Sequence, residues 1–400
     1  MSPKTMALVD QRPEMAGGGG YRSPLLKREM PGLDALRGLA VLSVLFYHEL
    51  NWHTVQIPPA HSLAARISGL FVLGWLGVFL FFVLSGFLIT GILLDSKSRP
   101  HYWRNFYVRR VLRILPIFVL VLAILKGFFH ATWLYVAVCL AYMANLAKMM
   151  HLGGFRYGLL WSLAVEEQFY LGWPWLVKLL TRRHLAYVAL ASVLLSPVLR
   201  YLSAAGIVPL GDAHFMTWLI SDNLAIGALL ALLLRSPWGT AEKARAVAWS
   251  LFIAGAVLLA IGIPLGILHR TGPVGAALQT VPFEFFFAAL LLLSLFVGDS
   301  KGVFAWTRPL RFFGYISYGL YLCHELVFIS VDNALRSFGF YKSWSARDWI
   351  LRFVGEGALS VLVAYLSRRY FEEFFLGLKA RLTPSMNTIR AGKSLRPAAE

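Results

Sequence analysis

Charge is scarce in this amino-acid sequence, and acidic charge is the scarcest part of it. Asp, Glu, Lys and Arg make up only 14% of the 400 residues, against about a quarter in typical soluble domains, and only 20 residues are acidic. Cysteine is nearly absent, because the chain has only Cys139 and Cys323, each inside an apolar run. These shortages argue against a soluble globular domain and a disulfide framework, and we predict no metal site.

Long apolar runs take the place of the missing charge. Hydrophobic residues make up 58% of the chain, and its mean hydropathy is +0.64. Runs of about 20 apolar residues recur almost from end to end, and each is long enough to cross a bilayer as a helix. The sequence therefore predicts an all-α fold, a polytopic bundle of transmembrane helices.

The charge that is present is basic, with a formal net charge of +18. It does not indicate a nucleic-acid partner, because Lys and Arg cluster between the apolar runs, as the positive-inside rule expects of cytosolic loops. We predict a basic, flexible N-terminal tail at 1–30 with GGGG at 17–20, a membrane domain at 31–376, and a basic C-terminal tail at 377–400. Both tails are expected at the cytosolic face, near anionic membrane lipid.

The spacing of the basic clusters predicts how many apolar runs cross the membrane. If every cluster is cytosolic, two neighbouring clusters must enclose an even number of spans. The stretch from Arg113 to Lys178 breaks this rule, because it holds three runs. We expect its shortest run, 132–148, to be a re-entrant element, which leaves about ten spans and both termini in the cytosol. The candidate runs are 34–51, 71–94, 107–129, 132–148, 159–180, 184–203, 214–234, 246–267, 282–298, 312–331 and 348–370.

The first run, LDALRGLAVLSVLFYHEL, carries Arg37 and His48. Eleven residues are about 20° past three helical turns, so the two side chains share a helix face and lie roughly 16 Å apart along the axis. A charge that faces lipid is costly, so both side chains are expected to point into the bundle. The alternative is that Arg37 reaches the cytosolic headgroups and His48 is a hydrogen-bonded core residue.

Two more arginines open the third run, in the motif RRVLR. Arg110 and Arg113 are three residues apart and therefore neighbours on one helix face. Two forked guanidinium groups side by side suit a phosphate-rich ligand. The alternative is an anchor that only sets the membrane topology.

Carboxylates occur inside the run that contains LWSLAVEEQFYL, near Trp161. Glu166 and Glu167 diverge by about 100° on a helix, so only one of them can face a given partner. A carboxylate bonded to an imidazole fixes its tautomer and raises its basicity, as a general base requires. The alternative has both glutamates neutral or paired with arginines. Glu284 stands alone in a phenylalanine-rich run, and no role is predicted for it.

Two other motifs place small or polar side chains in apolar runs. FFVLSGFLIT offers Ser85 and the glycine after it, which we interpret as a site of close helix packing rather than a nucleophile. In SYGLYLCHEL, Tyr318, Tyr321 and Glu325 share a helix face, and His324 stands beside them, which indicates a polar cavity. The candidates for lining that cavity are Ser85, Trp161, Tyr318, His324 and Glu325.

Together the motifs resemble those of the acyltransferase-3 family of integral-membrane acyltransferases, over roughly residues 31–376. Cys323 departs from the family pattern, in which an aromatic residue often precedes the histidine. The matching features, in the family's order, are Arg37 and His48 separated by ten residues, FFVLSGFLIT, the pair Arg110 and Arg113, WSLAVEEQFYL and SYGLYLCHE.

The resemblance implies transfer of an acyl group, most often acetyl, from cytosolic acyl-CoA to a hydroxyl of an acceptor. Family acceptors are commonly surface polysaccharides or glycolipids, and in some relatives small molecules such as macrolides. Some members add an esterase-like SGNH domain after the spans, and this chain ends too soon for one, so we expect hand-off in the membrane part or through a partner. We expect a multi-pass protein of a bacterial inner membrane.

Joined to the predicted depths, the resemblance gives a hypothesis for the mechanism. Arg110 and Arg113, with Arg37, hold the phosphates of acyl-CoA at the cytosolic face, and the pantetheine arm extends along the first span. His48 acts as general base on the acceptor hydroxyl, and one of the two adjacent glutamates orients it. Direct transfer and an acyl-histidine intermediate both stay open. A secondary transporter, the main alternative from another class, would show repeated halves with interrupted helices, and the sequence has no such repeat.

Overall fold

The structure is a computed structural model that describes residues 21–27, 29–53, 72–147, 149–150, 152, 157–268, 272–297, 301–339 and 346–383. These residues form helices and connecting turns without any strand, and the glycine run and most of both predicted tails lie outside them. In chain order the helices are α1 (Pro31–His53), α2 (Gly77–Ser96), α3 (Tyr102–Gly127), α4 (Trp133–Leu140), α5 (Leu160–Leu179), α6 (Arg182–Ala204), α7 (Thr217–Leu233), α8 (Ala241–Gly262), α9 (Pro273–Leu278), α10 (Val281–Ser294), α11 (Lys301–Trp306), α12 (Arg308–Ser337), α13 (Ala346–Leu366) and α14 (Glu373–Leu382).

The predicted apolar runs overlap these helices, and one of them is different in kind. The run 132–148 forms the eight-residue helix α4, followed by a short 3-10 turn at Ala144–Leu146. At 1.5 Å per residue α4 is about 12 Å long, well short of a hydrocarbon core of about 30 Å. The other predicted runs overlap α1 to α3, α5 to α8, α10, α12 and α13.

Among the described residues, five helical segments are long and apolar enough to cross a membrane. They are Leu73–Ser96, Arg182–Ala204, Ala241–Gly262, Pro273–Ser294 and Arg308–Ser337. Two of them, α6 and α8, turn large apolar side chains outward, as lipid-facing helices do; Leu194 on α6 and Ile253 on α8 are 62% and 60% exposed. The described chain is therefore an all-helical, multi-pass membrane protein.

Threonine side chains begin three of the helices. Thr132 accepts a hydrogen bond from the Tyr135 backbone N–H at 3.2 Å and starts α4. Thr181 and Thr240 cap α6 and α8 in the same way. Each hydroxyl satisfies one of the N–H groups that a helix leaves unpaired at its first turn, so the sequence fixes where these helices begin.

Glycines set the closest helix contacts around the centre of the bundle. A Cβ atom on Gly38 of α1 would lie 1.8 Å from the Leu310 carbonyl oxygen of α12. A Cβ on Gly86 of α2 would lie 1.9 Å from the Leu224 carbonyl oxygen of α7. Only glycine allows the backbones to come this close, so α1 packs on α12 and α2 on α7. The predicted packing role of the Ser85 and Gly86 pair is thus met by the glycine alone.

A buried ion pair joins α6, α7 and the α9–α10 segment. Arg200 Nη1 donates to Asp222 Oδ2 at 2.6 Å, and both side chains are almost fully buried. Arg200 Nη2 also donates to the Ala277 carbonyl oxygen at 2.9 Å. Beside this pair, Asn223 Nδ2 donates to Glu284 Oε1 at 3.2 Å. Glu284, for which the sequence predicts no role, therefore belongs to a buried polar network between helices.

Candidate active site

A cavity lies between α1, α2, α3, α5 and α12. One part of its wall is apolar and comes mainly from α2, including Phe81, Phe82 and Leu88. The rest is polar, which is unusual inside a membrane bundle and marks a candidate functional site. The polar lining residues are Arg37, Ser85, Arg110, Arg113, Ser162, Glu166, Tyr170, Ser317, Tyr318 and Tyr321.

All three arginines that the sequence singled out line this one cavity. Arg37 comes from α1, and Arg110 and Arg113 come from α3. Arg37 Nη1 also lies 3.1 Å from Asp34 Oδ1, on the same face of α1. The Arg110 guanidinium lies over the ring of Tyr170, 5.2 Å from the ring centre. The cavity therefore concentrates positive charge, as a site for a polyanion requires.

A serine, a glutamate and a tyrosine form a closed hydrogen-bonded group in the cavity wall. Ser85 Oγ of α2 donates to Glu166 Oε1 of α5 at 2.7 Å. The Tyr170 hydroxyl, one turn after Glu166, lies 3.3 Å from Glu166 Oε2 and 3.1 Å from Ser85 Oγ. Ser85 therefore faces the cavity and a carboxylate, while the glycine after it makes the helix contact with α7.

Two tyrosines of α12 continue the polar wall. The Tyr318 hydroxyl donates to the Ile114 carbonyl oxygen of α3 at 3.0 Å. The Tyr321 hydroxyl lies 2.5 Å from Ser162 Oγ of α5. These bonds tie α12 to α3 and α5, so the cavity has fixed walls on this side.

The two histidines form a pair behind Tyr321. His324 Nε2 and His48 Nδ1 are 3.5 Å apart, and their ring centres are separated by 5.2 Å. His48 Nδ1 is 2.9 Å from the Val44 carbonyl oxygen. Because a carbonyl oxygen can only accept, Nδ1 carries the proton and Nε2 is left as the basic nitrogen of His48.

The partner of His48 differs from the predicted one. The sequence hypothesis gave His48 a glutamate partner, whereas in the structure its ring is held by Val44 and faces His324. Glu166 is bonded instead to Ser85 and Tyr170. The reason is that a backbone carbonyl one helical turn earlier already satisfies Nδ1.

The other predicted residues lie outside the cavity lining. Within the described part of the chain, Glu167 is buried and its Oε1 has no hydrogen-bond partner, and the same holds for Oε2 of Glu325. Trp161 packs edge-on against Phe82, with ring centres 6.1 Å apart. Among the described residues, no group of three or more His, Cys, Asp or Glu could hold a metal ion.

Sequence reasoning missed three polar residues of this wall, Ser162, Tyr170 and Ser317, and a spacing argument could have found the first two. Tyr170 was visible only as part of the EEQFY motif, although its position four residues after Glu166 places both on one helix face. Ser162 follows the same logic, four residues before Glu166. The i, i+4 spacing from a buried carboxylate was therefore the signal that could have found both residues.

Comparison with known proteins gives a family match for nearly the whole membrane part. The profile described as "Acyltransferase domain" matches residues 30–369. YrhL of Bacillus subtilis (strain 168), provisionally named a peptidoglycan O-acetyltransferase, is 31% identical over 350 residues, which are 77% of this chain and 50% of YrhL. No solved structure matches the chain significantly.

Two further relatives carry related names. The O-acetyltransferase OatA of Staphylococcus aureus (strain NCTC 8325 / PS 47) is 26% identical over 381 residues, 86% of this chain and 57% of OatA. The peptidoglycan O-acetyltransferase OatA of Listeria monocytogenes serovar 1/2a is 34% identical over 166 residues, 37% of this chain and 24% of that protein. The chain spans about half the length of YrhL and of the staphylococcal relative.

Proposed function

Because the chain belongs to the Acyltransferase domain family, matched over residues 30–369, we propose that it is a membrane O-acyltransferase that uses acyl-CoA. In this proposal it moves an acyl group, most simply acetyl, to a hydroxyl of a carbohydrate of the cell envelope. The carbohydrate acceptor is supported by the names of the relatives, which are O-acetyltransferases and in two cases specify peptidoglycan.

The observation that carries the proposal is the single cavity in which three arginines meet a serine, a glutamate and tyrosines. Acyl-CoA presents phosphates at one end and a thioester at the other, joined by a long flexible arm. Arg37, Arg110 and Arg113 supply the fixed donor forks that phosphates bind best. The remaining wall, part apolar and part hydroxyl, suits an arm that carries amide groups.

We place the cavity mouth toward the cytosol, where acyl-CoA is found. This orientation assumes about ten spans, a re-entrant segment at 132–148 and both termini in the cytosol. It is supported by the basic residues between the apolar runs and by the short length of α4. His48, roughly 16 Å along α1 from Arg37, then lies in the outer half of the membrane.

His48 is proposed as the general base for the acceptor. With Nδ1–H held by the Val44 carbonyl, Nε2 can take the proton of the acceptor hydroxyl as its oxygen attacks the acyl carbonyl. His324 is consistent with this tautomer, because its own Nδ1 lies 2.9 Å from the Leu320 carbonyl oxygen and carries the proton, which leaves its Nε2 as an acceptor facing His48 Nδ1 at 3.5 Å. The carboxylate that a Ser-His-Asp triad uses at this place is replaced here by a backbone carbonyl.

The test uses membranes that contain the protein, acetyl-CoA labelled in the acetyl group, and peptidoglycan or a macrolide as acceptor. We expect release of CoA and transfer of label to the carbohydrate. His48→Ala should abolish transfer, and His184→Ala, at an exposed histidine at the start of α6, should not. If label were transferred only to the macrolide, the proposed carbohydrate acceptor would be wrong and a small molecule would take its place. If no CoA were released with any acceptor, the acyltransferase proposal itself would be refuted.

A further inference from the structure

Ser85 is a hydroxyl of the cavity wall that donates directly to a carboxylate and also faces the hydroxyl of Tyr170. Its Oγ lies 2.7 Å from Glu166 Oε1 and 3.1 Å from the Tyr170 hydroxyl. The side chain is only partly buried and lines the same space as the three arginines. A serine bonded to a base in a ligand cavity has the geometry of an activated nucleophile.

The neighbours of Ser85 supply the other groups that acyl transfer needs. Glu166 is the base, with its second oxygen held by Tyr170 at 3.3 Å. The Tyr170 hydroxyl is close enough to Ser85 Oγ to donate to the oxyanion that forms when Oγ adds to a carbonyl. The Arg110 guanidinium, 5.2 Å from the centre of the Tyr170 ring, favours negative charge in this place. Nucleophile, base and oxyanion donor thus come from α2 and α5 and meet at one point.

We propose that Ser85 carries the acyl group between acyl-CoA and the acceptor, an inference that rests on the proposed function above. In the first step Ser85 Oγ forms an ester bond with the acyl carbon, the carbon–sulfur bond breaks, Glu166 takes and keeps the serine proton, and CoA leaves as a thiolate that is protonated by water. In the second step the acceptor oxygen attacks the ester carbon and its proton goes to His48. The bond between that carbon and Ser85 Oγ then breaks, Glu166 returns its proton to Oγ, and His48 releases its proton to water.

The position of His48 favours two steps over one. His48 and His324 do not line the cavity that holds the arginines, and Tyr321, bonded to Ser162, stands between the two places. The ring of Tyr321 is 6.1 Å from that of His324 on one side and 6.1 Å from that of Phe81 on the other. Phe81 is one helical turn before Ser85. In this proposal the ester on Ser85 therefore forms in the cavity that holds the arginines, and the acceptor that attacks it approaches from the side of His48.

The competing explanation is that Ser85 only satisfies a buried carboxylate. A covalent intermediate separates the two explanations. The purified full chain is incubated with acetyl-CoA labelled in the acetyl group, without acceptor, and quenched in acid. We expect label on the protein, located at Ser85 by peptide mass spectrometry and released by alkaline but not neutral hydroxylamine. Addition of carbohydrate acceptor should then remove the label.

Variants make the assignment specific. Ser85→Ala should lose the label and lower transfer by about 100-fold or more, the scale of a lost catalytic group. Ser85→Cys should form a thioester, which neutral hydroxylamine cleaves. Ser96→Ala is the matched control on the same helix, because the Ser96 hydroxyl bonds carbonyl oxygens of its own helix, those of Ile92 at 2.7 Å and Leu93 at 3.3 Å, and this variant should behave as wild type. Protection of each variant from thermal unfolding by acetyl-CoA shows that the donor site is intact.

The outcomes distinguish this inference from the proposed function. Transfer to carbohydrate with no label on the chain, with label at His48, or with Ser85→Ala at more than a tenth of wild-type activity would overturn the serine intermediate alone. Label at Ser85 without transfer to carbohydrate would support the serine intermediate and would refute the proposal that the acceptor is a carbohydrate. If acetyl-CoA is neither consumed nor bound, both proposals fail.

Discussion

At the scale of single residues, the arginines of α3 carry the sharpest expectation for donor binding. A charge-assisted hydrogen bond contributes about 1.5–3 kcal/mol, which is about 10- to 150-fold in a dissociation constant. We expect Arg113→Ala and Arg110→Ala to weaken acetyl-CoA binding by such factors, measured by isothermal titration on detergent-solubilised protein. Arg113→Lys should recover only part of the affinity, because an ammonium lacks the fork.

The control for this prediction is an arginine that lies away from the cavity. Arg183, exposed on α6, lies over the ring of Tyr187 at 5.6 Å. Arg183→Ala should therefore bind acetyl-CoA as wild type does. If Arg113→Ala and Arg110→Ala bound acetyl-CoA with unchanged affinity, the proposal that the phosphates bind at this site would be wrong.

His324 should act through His48 rather than on the substrate. Loss of a neutral hydrogen bond of about 0.5–1.5 kcal/mol corresponds to a decrease of about 2- to 12-fold in kcat. We expect that effect for His324→Phe, with the KM for acetyl-CoA unchanged. Because His324 acts through His48, the loss should appear in kcat and not in donor binding. A raised KM for acetyl-CoA with an unchanged kcat would contradict the pairing.

Residue patterns predicted part of this site and could not predict the rest. The family inferred from five short motifs is confirmed, and the helical period correctly grouped Arg110 with Arg113. The period says which side chains share a face, but not which helix that face meets. Ser85 and Glu166 are 81 residues apart in the chain, so the bond between them depends on how α2 and α5 pack.

At the scale of helices, the close approach of α1 to α12 should not tolerate a methyl group. Overpacking of a tight contact typically costs about 1–3 kcal/mol. We expect Gly38→Ala to lower the midpoint of thermal unfolding in detergent, because its Cβ would lie 1.8 Å from the Leu310 carbonyl oxygen. Gly172→Ala in α5 is the matched control, since a Cβ there meets nothing within 4 Å, and its midpoint should stay or rise.

The buried pair between α6 and α7 gives a second prediction at this scale. Removing one partner of a buried ion pair typically costs about 3–5 kcal/mol, whereas replacing both by apolar residues costs far less. We expect Arg200→Met to reduce stability strongly, and Arg200→Met with Asp222→Leu to recover most of it. The comparison is of thermal midpoints in one detergent. If the double variant were less stable than Arg200→Met, the hydrogen bonds of the polar network would contribute to stability in addition to the pairing of the two charges.

Sequence periodicity predicted the positions of the helices better than the side-chain contacts between them. The apolar runs overlap the observed helices, and the weakest run became the short α4. The Arg200–Asp222 pair was not predicted, because the two residues are 22 positions apart and each is a single charge in a different apolar run. A charge within such a run indicates that a partner exists, but only the packed bundle shows which one.

At the scale of the whole molecule, the proposed orientation decides whether the arginine cavity can meet acyl-CoA. Ala205, after α6, and Glu242, at the start of α8, are both exposed and are separated by the single helix α7. In a chain with Cys139→Ala and Cys323→Ala, single cysteines are placed at these positions in intact cells. A membrane-impermeant maleimide should label Ala205→Cys from outside and Glu242→Cys only after the cells are permeabilised. The reverse pattern would put Arg110 and Arg113 on the outer face, where cytosolic acyl-CoA cannot reach them, and the proposed direction of transfer would then be wrong.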